Sequence, residues 1–378
     1  MATHHETRWH IEPQSVGMDK ALIEQGLETL LPGIEQGLHP GAQVYISRHG
    51  KPVVEFACGE ARPGVPMSPD HLTMWYSSSK PLTALAIAIL YDKGLLQLDD
   101  PVQKFLPNFA AGKERCTVRH VLTHTGGFPQ AATSTQGRTW EEIIALVSAH
   151  PAEYEPGTQA GYHMVGGWFV LGEIVQMLSG TSLREFLQSE LFDPIGMGDT
   201  FLGIPESDQT RLGDQIAHVA LGDSGRTPYM TQAFVDSTNN PQEISRTNPS
   251  GGGRGPARDL GRFYEMLLAG GSMQENKIVE QKTVDVFTAC HRWGMQDHTL
   301  FKAPLAWGLG MQLHGNTDIH KLGSRRLFGH SGMVSSVGFA DPTWGLVCVV
   351  ITTGLLDAMT NARRLREVNG PALAACGA

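Results

Sequence analysis

The chain has 378 residues, 41% of them hydrophobic and 18% charged, which is enough for two domains or one large core and too apolar for a disordered chain. A formal charge of −9 with no basic run argues against nucleic acid or acidic membranes as partners. The five cysteines (Cys58, Cys116, Cys290, Cys348, Cys376) are scattered and never spaced Cys-x-x-Cys, so neither a disulfide framework nor a zinc site is expected. No apolar run approaches the roughly 20 residues of a membrane span. The N-terminus lacks the apolar stretch of a signal peptide, and a reduced, cytoplasmic location is the expectation.

Residues 15–38 read as a helix, with Val16, Leu22, Ile23, Leu27, Leu30, Leu31 and Ile34 near helical spacing. Two short β-type runs, 42–48 and 52–59, flank His49-Gly50 as a hairpin. The stretch Ser77-Ser78-Ser79-Lys80-Pro81 then leads into the apolar run 84–90. Proline is tolerated in a helix only in its first turn, so this helix should begin at about Ser77 or Ser78.

From 77 to about 270 the pattern is of helices and long loops. Helix starts are read at 99–102, at 117–124 with a Gly126-Gly127 stop, at 139–149 behind the cap Thr139, at 166–178 and at 259–268. Residues 203–257 are polar and rich in Gly, Pro, Asn and Thr, and are expected to be long loops bordering a site. Strand character returns over 307–313, 334–340 and 345–353, and 357–368 forms a closing helix. Strands at both chain ends imply one antiparallel sheet built from the termini. The expectation is an α+β fold: a sheet domain from 1–75 plus 275–378, with an inserted mainly helical domain over 76–274.

Ser77 and Lys80 form the one Ser-x-x-Lys in the chain. Three residues apart on a helix, a hydroxyl and an amine share a face, and the serine sits at the positive end of the helix dipole. A serine cap followed by a solvated lysine has the same spelling, so the pair alone decides nothing. Other hydrolase and nucleotide signatures are missing: there is no Gly-x-Ser-x-Gly, no P-loop, no Gly-x-Gly-x-x-Gly and no His-Glu-x-x-His. His4, His5 and His10 read as a terminal tail rather than a metal site. A Ser-x-x-Lys nucleophile needs a tyrosine or serine opposite it and a late basic-hydroxyl-Gly strand beside it. Tyr162 and His330-Ser331-Gly332 are the candidates.

Taken with Leu95-Leu96-Gln97-Leu98-Asp99-Asp100-Pro101-Val102, Val121-Leu122-Thr123-His124-Thr125-Gly126-Gly127, Pro156-Gly157-Thr158, Gly251-Gly252-Gly253 and Trp307-Gly308-Leu309-Gly310, the chain resembles the serine β-lactamase-like superfamily. The likeness is to its class C branch, with the family VIII carboxylesterases, D-aminopeptidases and related acyltransferases. That resemblance implies an antiparallel sheet flanked by helices, an all-helical domain, and a site between them with no metal or cofactor. Ser77 becomes the acylated nucleophile, and Lys80 and Tyr162 share the proton work in an order that stays open. The N–H groups of Ser77 and Met333 form the oxyanion hole. His330, Ser331, Gly332, Met164 and Trp75 line the substrate pocket. Arg254 reads as a surface arginine, with a substrate carboxylate contact as the alternative. His124 reads as a core histidine or a support behind the site.

Two departures bear on the substrate. Met164 stands where the family commonly has an asparagine that donates to an amide, and His330 where it commonly has a lysine that holds a carboxylate. Both favour a neutral ester as the small-molecule substrate. The expected activity is therefore ester hydrolysis. Acyl transfer, D-amino-acid amide or peptide cleavage and β-lactam hydrolysis are the alternatives, and a non-catalytic penicillin-binding-like scaffold comes last.

Overall fold

In the computed structural model, residues 4–225, 230–299, 302–314 and 322–377 are described. The elements that position the site are, in chain order, β1 (His5–Trp9), α1 (Lys20–Glu28), β2 (Gly41–Arg48), β3 (Lys51–Arg62), α2 (Lys80–Asp92), α3 (Gly166–Ser179), β4 (Gly253–Gly255), α4 (Ala257–Leu268), β5 (Gln312–Leu313), β6 (Phe328–Gly332), β7 (Ser336–Asp341), β8 (Leu346–Thr352) and α5 (Ala358–Ala374). The fold is the expected α+β arrangement. Seven strands form one antiparallel sheet in the order β1-β3-β2-β8-β7-β6-β5, with Val65–Pro66 added on β3 as an eighth. The first and last parts of the chain meet where β2 pairs with β8, from Arg48 opposite Leu346 to Ala42 opposite Thr352.

The hairpin reading holds because His49 and Gly50 both take positive φ, 53° and 72°, the geometry that matches the right-handed twist of two joined strands. β2 and β8 are buried along their whole length, so both faces of the sheet are covered. One face carries α1 and α5, and α4 crosses the other over β2, β7 and β8. Gly261 permits that crossing: a Cβ there would lie 2.2 Å from the Tyr45 ring. α2 is buried at every position from Lys80 to Leu90, as its apolar run without a polar face requires. It packs against α3 in the helical part of the molecule.

Several elements differ from expectation. The 15–38 helix is a 3-10 turn at Pro13–Val16, then α1, then a short helix Leu30–Glu35 that places Pro32 in its first turn. The start near residue 99 yields only the 3-10 turn Val102–Lys104. The 203–257 stretch is not mainly loop; it contains the helices Glu206–Leu212, Gln232–Thr238 and Pro241–Ser245 as well as β4. Weak periodicity there reflects short helices packed on small local clusters around Ile216 and Val235. The closing helix runs on past 368 to Ala374, where the Pro371 ring packs against Gly26 of α1. No helix among the described residues is long and apolar enough to cross a membrane.

Candidate active site

The Ser77 segment is a 3-10 turn, Tyr76–Ser79, and α2 proper starts at Lys80. The α-helix start is thus later than expected, and the turn opens on Tyr76 at φ 49°, a left-handed conformation that costs a non-glycine residue roughly 1–2 kcal/mol. Hydroxyl groups hold the turn in place. Ser78 Oγ donates to His330 O at 3.1 Å, and Ser336 Oγ donates to Trp75 O at 2.7 Å. Ser79 Oγ donates to Tyr76 O at 2.7 Å and accepts from Gly253 N–H at 3.0 Å. β6 lies close against the turn because Gly332 has no side chain; a Cβ there would sit 2.2 Å from Trp75 O. Of the three serines only Ser77 keeps partial exposure; Ser78 and Ser79 are buried.

Lys80 is 1% exposed. Its Nζ lies 3.1 Å from Ser77 Oγ, 2.9 Å from Met164 O and 2.7 Å from Ser250 O. Burial pushes its pKa well below the usual lysine value, and no carboxylate offsets that among the described residues. A neutral amine has two N–H donors and one lone pair. Two backbone carbonyls and one hydroxyl fill the three positions around Nζ in either protonation state, and in the neutral form the carbonyls take both N–H groups and leave the lone pair for Ser77. Ser250 is itself fixed by Asn248 Oδ1, which accepts from its N–H at 2.9 Å and its hydroxyl at 2.6 Å.

Tyr162 is buried, its ring 5.2 Å from Lys80 Nζ, and its hydroxyl is hydrogen-bonded to Ser77. Burial raises its pKa above the usual phenol value despite that bond. His330 is fully buried on β6, with Nδ1 2.7 Å from Ser331 O and its ring 6.3 Å from that of Tyr162. The N–H and hydroxyl of Ser331 both donate to Gln312 Oε1 at 3.2 Å. Met333 follows in a turn closed by Ser335 N–H to Gly332 O at 2.9 Å, and its side chain is 40% exposed. Met164 is 38% exposed; what it turns toward Lys80 is its carbonyl. Among the described residues no three His, Cys, Asp or Glu groups are placed to hold a metal ion.

Three residues expected to line the pocket, His330, Trp75 and Arg254, have almost no exposed surface. Trp75 is fully buried beneath the turn, its indole N–H donating to Gly255 O at 2.9 Å, so it supports the serine segment and lines nothing. Arg254 is neither at the surface nor in a loop. It lies on β4, 3% exposed, and donates to Thr238 O at 2.9 Å. Burial lowers its pKa to about 10. Sequence reasoning also missed groups that matter here. The carbonyls of Met164 and Ser250 leave no mark in a sequence, because any residue supplies one. His163 and Arg292 are buried, the first with its ring 5.6 Å from that of His124 and the second over the Trp307 ring; the sequence signals the first only by adjacency to Tyr162 and the second not at all.

The chain has known relatives. The chain is 27% identical over 364 residues to an esterase/beta-lactamase, LipL, of Mycobacterium tuberculosis, covering 90% of this chain and 82% of that one. A penicillin-binding protein homologue from Caulobacter crescentus superposes with a TM-score of 0.80 at 26% identity, over 95% of this chain and 99% of the other. A family VIII carboxylesterase shares the fold at a TM-score of 0.78 and 24% identity, over 98% and 100% of the two chains. The Beta-lactamase family model matches residues 20–369, a span that takes in the Ser77 turn, Tyr162 and β6 alike. The chain therefore belongs to the beta-lactamase family, among its esterase- and penicillin-binding-protein-like serine hydrolases.

Proposed function

We propose that this chain hydrolyses carboxylic esters through an acyl-enzyme on Ser77. The observation that carries the reading is the environment of Lys80: a buried amine with two carbonyl acceptors and Ser77 Oγ as its third neighbour. In its neutral form the lone pair of Nζ faces the serine O–H and can take that proton as Oγ attacks the ester carbonyl. Tyr162, whose pKa is raised by burial, stays protonated and serves as the acid. Its proton passes to the departing alkoxide while the C–O bond breaks, and Lys80 returns a proton to the phenol. Water then repeats the sequence on the acyl-enzyme. The N–H groups of Ser77 and Met333 are assigned to the oxyanion, each worth about 3 kcal/mol of transition-state stabilisation.

A neutral acyl donor suits this site. The exposed side chains of Met164 and Met333 are apolar, β6 carries an imidazole where a permanent cation would hold a carboxylate, and Arg254 is buried with Thr238 O as its acceptor. The names of LipL and of the family VIII carboxylesterase point the same way. Incubation with p-nitrophenyl butyrate should give a burst of nitrophenol and a butyryl adduct on Ser77, both lost in Ser77→Ala. An adduct that survives that substitution, or none in the unmodified protein, overturns the proposal. Faster turnover of ampicillin or a D-alanyl amide than of any ester overturns the substrate assignment alone.

A further inference from the structure

His124 is fully buried and faces no substrate, yet it grips the chain on both sides of Tyr162. It lies just beyond the short helix Val118–Leu122 in a left-handed conformation, φ 59°. Its carbonyl accepts the N–H of Gly161 at 2.9 Å. Its Nδ1 accepts the N–H of His163 at 3.0 Å. The imidazole packs on the phenol between them, ring centroids 4.5 Å apart and planes tilted 36°, and it stands edge-on to Trp307 at 4.6 Å. The middle amide, Tyr162 N–H, donates to Thr299 Oγ1 at 2.7 Å, and that hydroxyl donates to Asp297 Oδ1 at 3.0 Å. Three consecutive peptide groups are thus held, two of them by one residue.

We propose that His124 is the positioning residue for Tyr162, setting through its Nδ1 acceptor and its stacked ring where the phenol meets Ser77 Oγ. This rests on the acyl-enzyme reading above and assigns His124 no contact with substrate. The tautomer follows from the geometry: Nδ1 accepts, so the proton is on Nε2 and the ring is neutral. A protonated ring would set an N–H against the His163 N–H and break the grip. Burial, with His163, Arg292, Lys80 and His330 facing it, keeps the ring neutral by holding its pKa well below the usual value.

Two substitutions separate the parts of this device. His124→Phe keeps a stacked ring and loses the acceptor. His124→Asn keeps an acceptor near the Nδ1 position, tolerates the left-handed backbone and loses the ring. Each is made alone and with Tyr162→Phe, and p-nitrophenyl butyrate acylation is measured per Ser77 site titrated in the burst, beside Tm. His124→Phe should slow acylation per site by about 100-fold, the scale expected for misplacing a catalytic group by an ångström. His124→Asn should recover part of that loss. In the Tyr162→Phe background neither should cost more than about threefold, because residues that act through one another are not additive. Losses that multiply with Tyr162→Phe overturn the inference, as does a lower Tm with acylation per site unchanged. If His124→Phe does not fold, the His124→Asn cycle decides by the same criteria. Absence of any Ser77 adduct in the unmodified protein overturns the hydrolase reading and this inference together, whereas normal acylation with multiplicative losses overturns this inference alone.

Discussion

Ser77 and Tyr162 meet across one hydrogen bond, but the segments that carry them are built on different physics. The 75–79 turn is held by short hydroxyls bonded to backbone and to one another, tying it to β4, β6 and β7. The 161–163 segment lies in no regular element and is held by side chains 39 and 137 residues away in sequence. The indole N–H of Trp168 adds a fourth tie, to His163 O at 3.2 Å. Hydroxyl ties carry no pH dependence near neutrality, whereas imidazoles buried neutral lose stability to the unfolded chain, where they take up protons once the pH falls below about 6.5. The serine side should therefore tolerate acid and fail by steric insult, and the tyrosine side the reverse.

The largest effect should come from the group that joins the two sides. Lys80→Met should lower acylation by about 10²–10⁴-fold, the range for loss of a general base, with Tm little changed. Because burial depresses the Lys80 pKa, the active neutral form persists to lower pH than for a free lysine. kcat/KM of the unmodified protein should rise with pH through that depressed value as one proton is lost. A variant that keeps full activity would remove Lys80 from the chemistry.

Gly332→Ala tests the serine side alone. Its Cβ would meet Trp75 O at 2.2 Å and Ser336 Oγ at 2.4 Å, so β6 and the turn must part, at about 1–3 kcal/mol for an overpacked site. Calorimetry and burst titration should show lower Tm and slower acylation together. Ser79→Ala leaves Gly253 N–H and Tyr76 O without the hydroxyl that now serves both. That should cost about 1–3 kcal/mol, read by denaturant unfolding, and the cost should not change between pH 5 and 8. A pH-dependent cost would undo the contrast between the two sides.

Acid tests the tyrosine side. Burial, with Arg292 and Lys80 nearby, lowers the His163 pKa to about 3, while in the unfolded chain it titrates near 6.5. The folded state binds fewer protons, so this stabilisation is present above about 6.5 and is lost as pH falls from there toward 3. The slope is about 1.4 kcal/mol per pH unit for each such histidine. Hydrogen exchange of amides 161–163 should accelerate between pH 6.5 and 5 relative to those of 76–79, after correction for intrinsic rates. Parallel behaviour of the two segments would mean they open as one unit.

The asymmetry also governs what could be read from the amino acids. Ser77, Lys80 and Pro81 are neighbours in sequence, and their spacing and the apolar run after them are local facts. The sheet pairs were legible for the same reason, since alternation and the His49-Gly50 turn are short-range signals. Arg254 and Trp75 were misplaced because burial depends on what packs over a residue: β4 pairs with Thr73–Met74 and Phe201–Leu202, and no local pattern announces that neighbourhood.

By itself the sequence determined the family and the antiparallel α+β fold, because a Ser-x-x-Lys pair, a tyrosine, a late Gly strand and the motifs between them stand in one order along the chain. Only the tertiary structure decided the state of those groups. Burial lowers the Lys80 pKa, carbonyls from residues 164 and 250 fix its Nζ beside Ser77, and packing places His124 against Tyr162. Desolvation and long-range backbone contacts have no spelling in the chain, and they are what set this lysine apart from a solvated one.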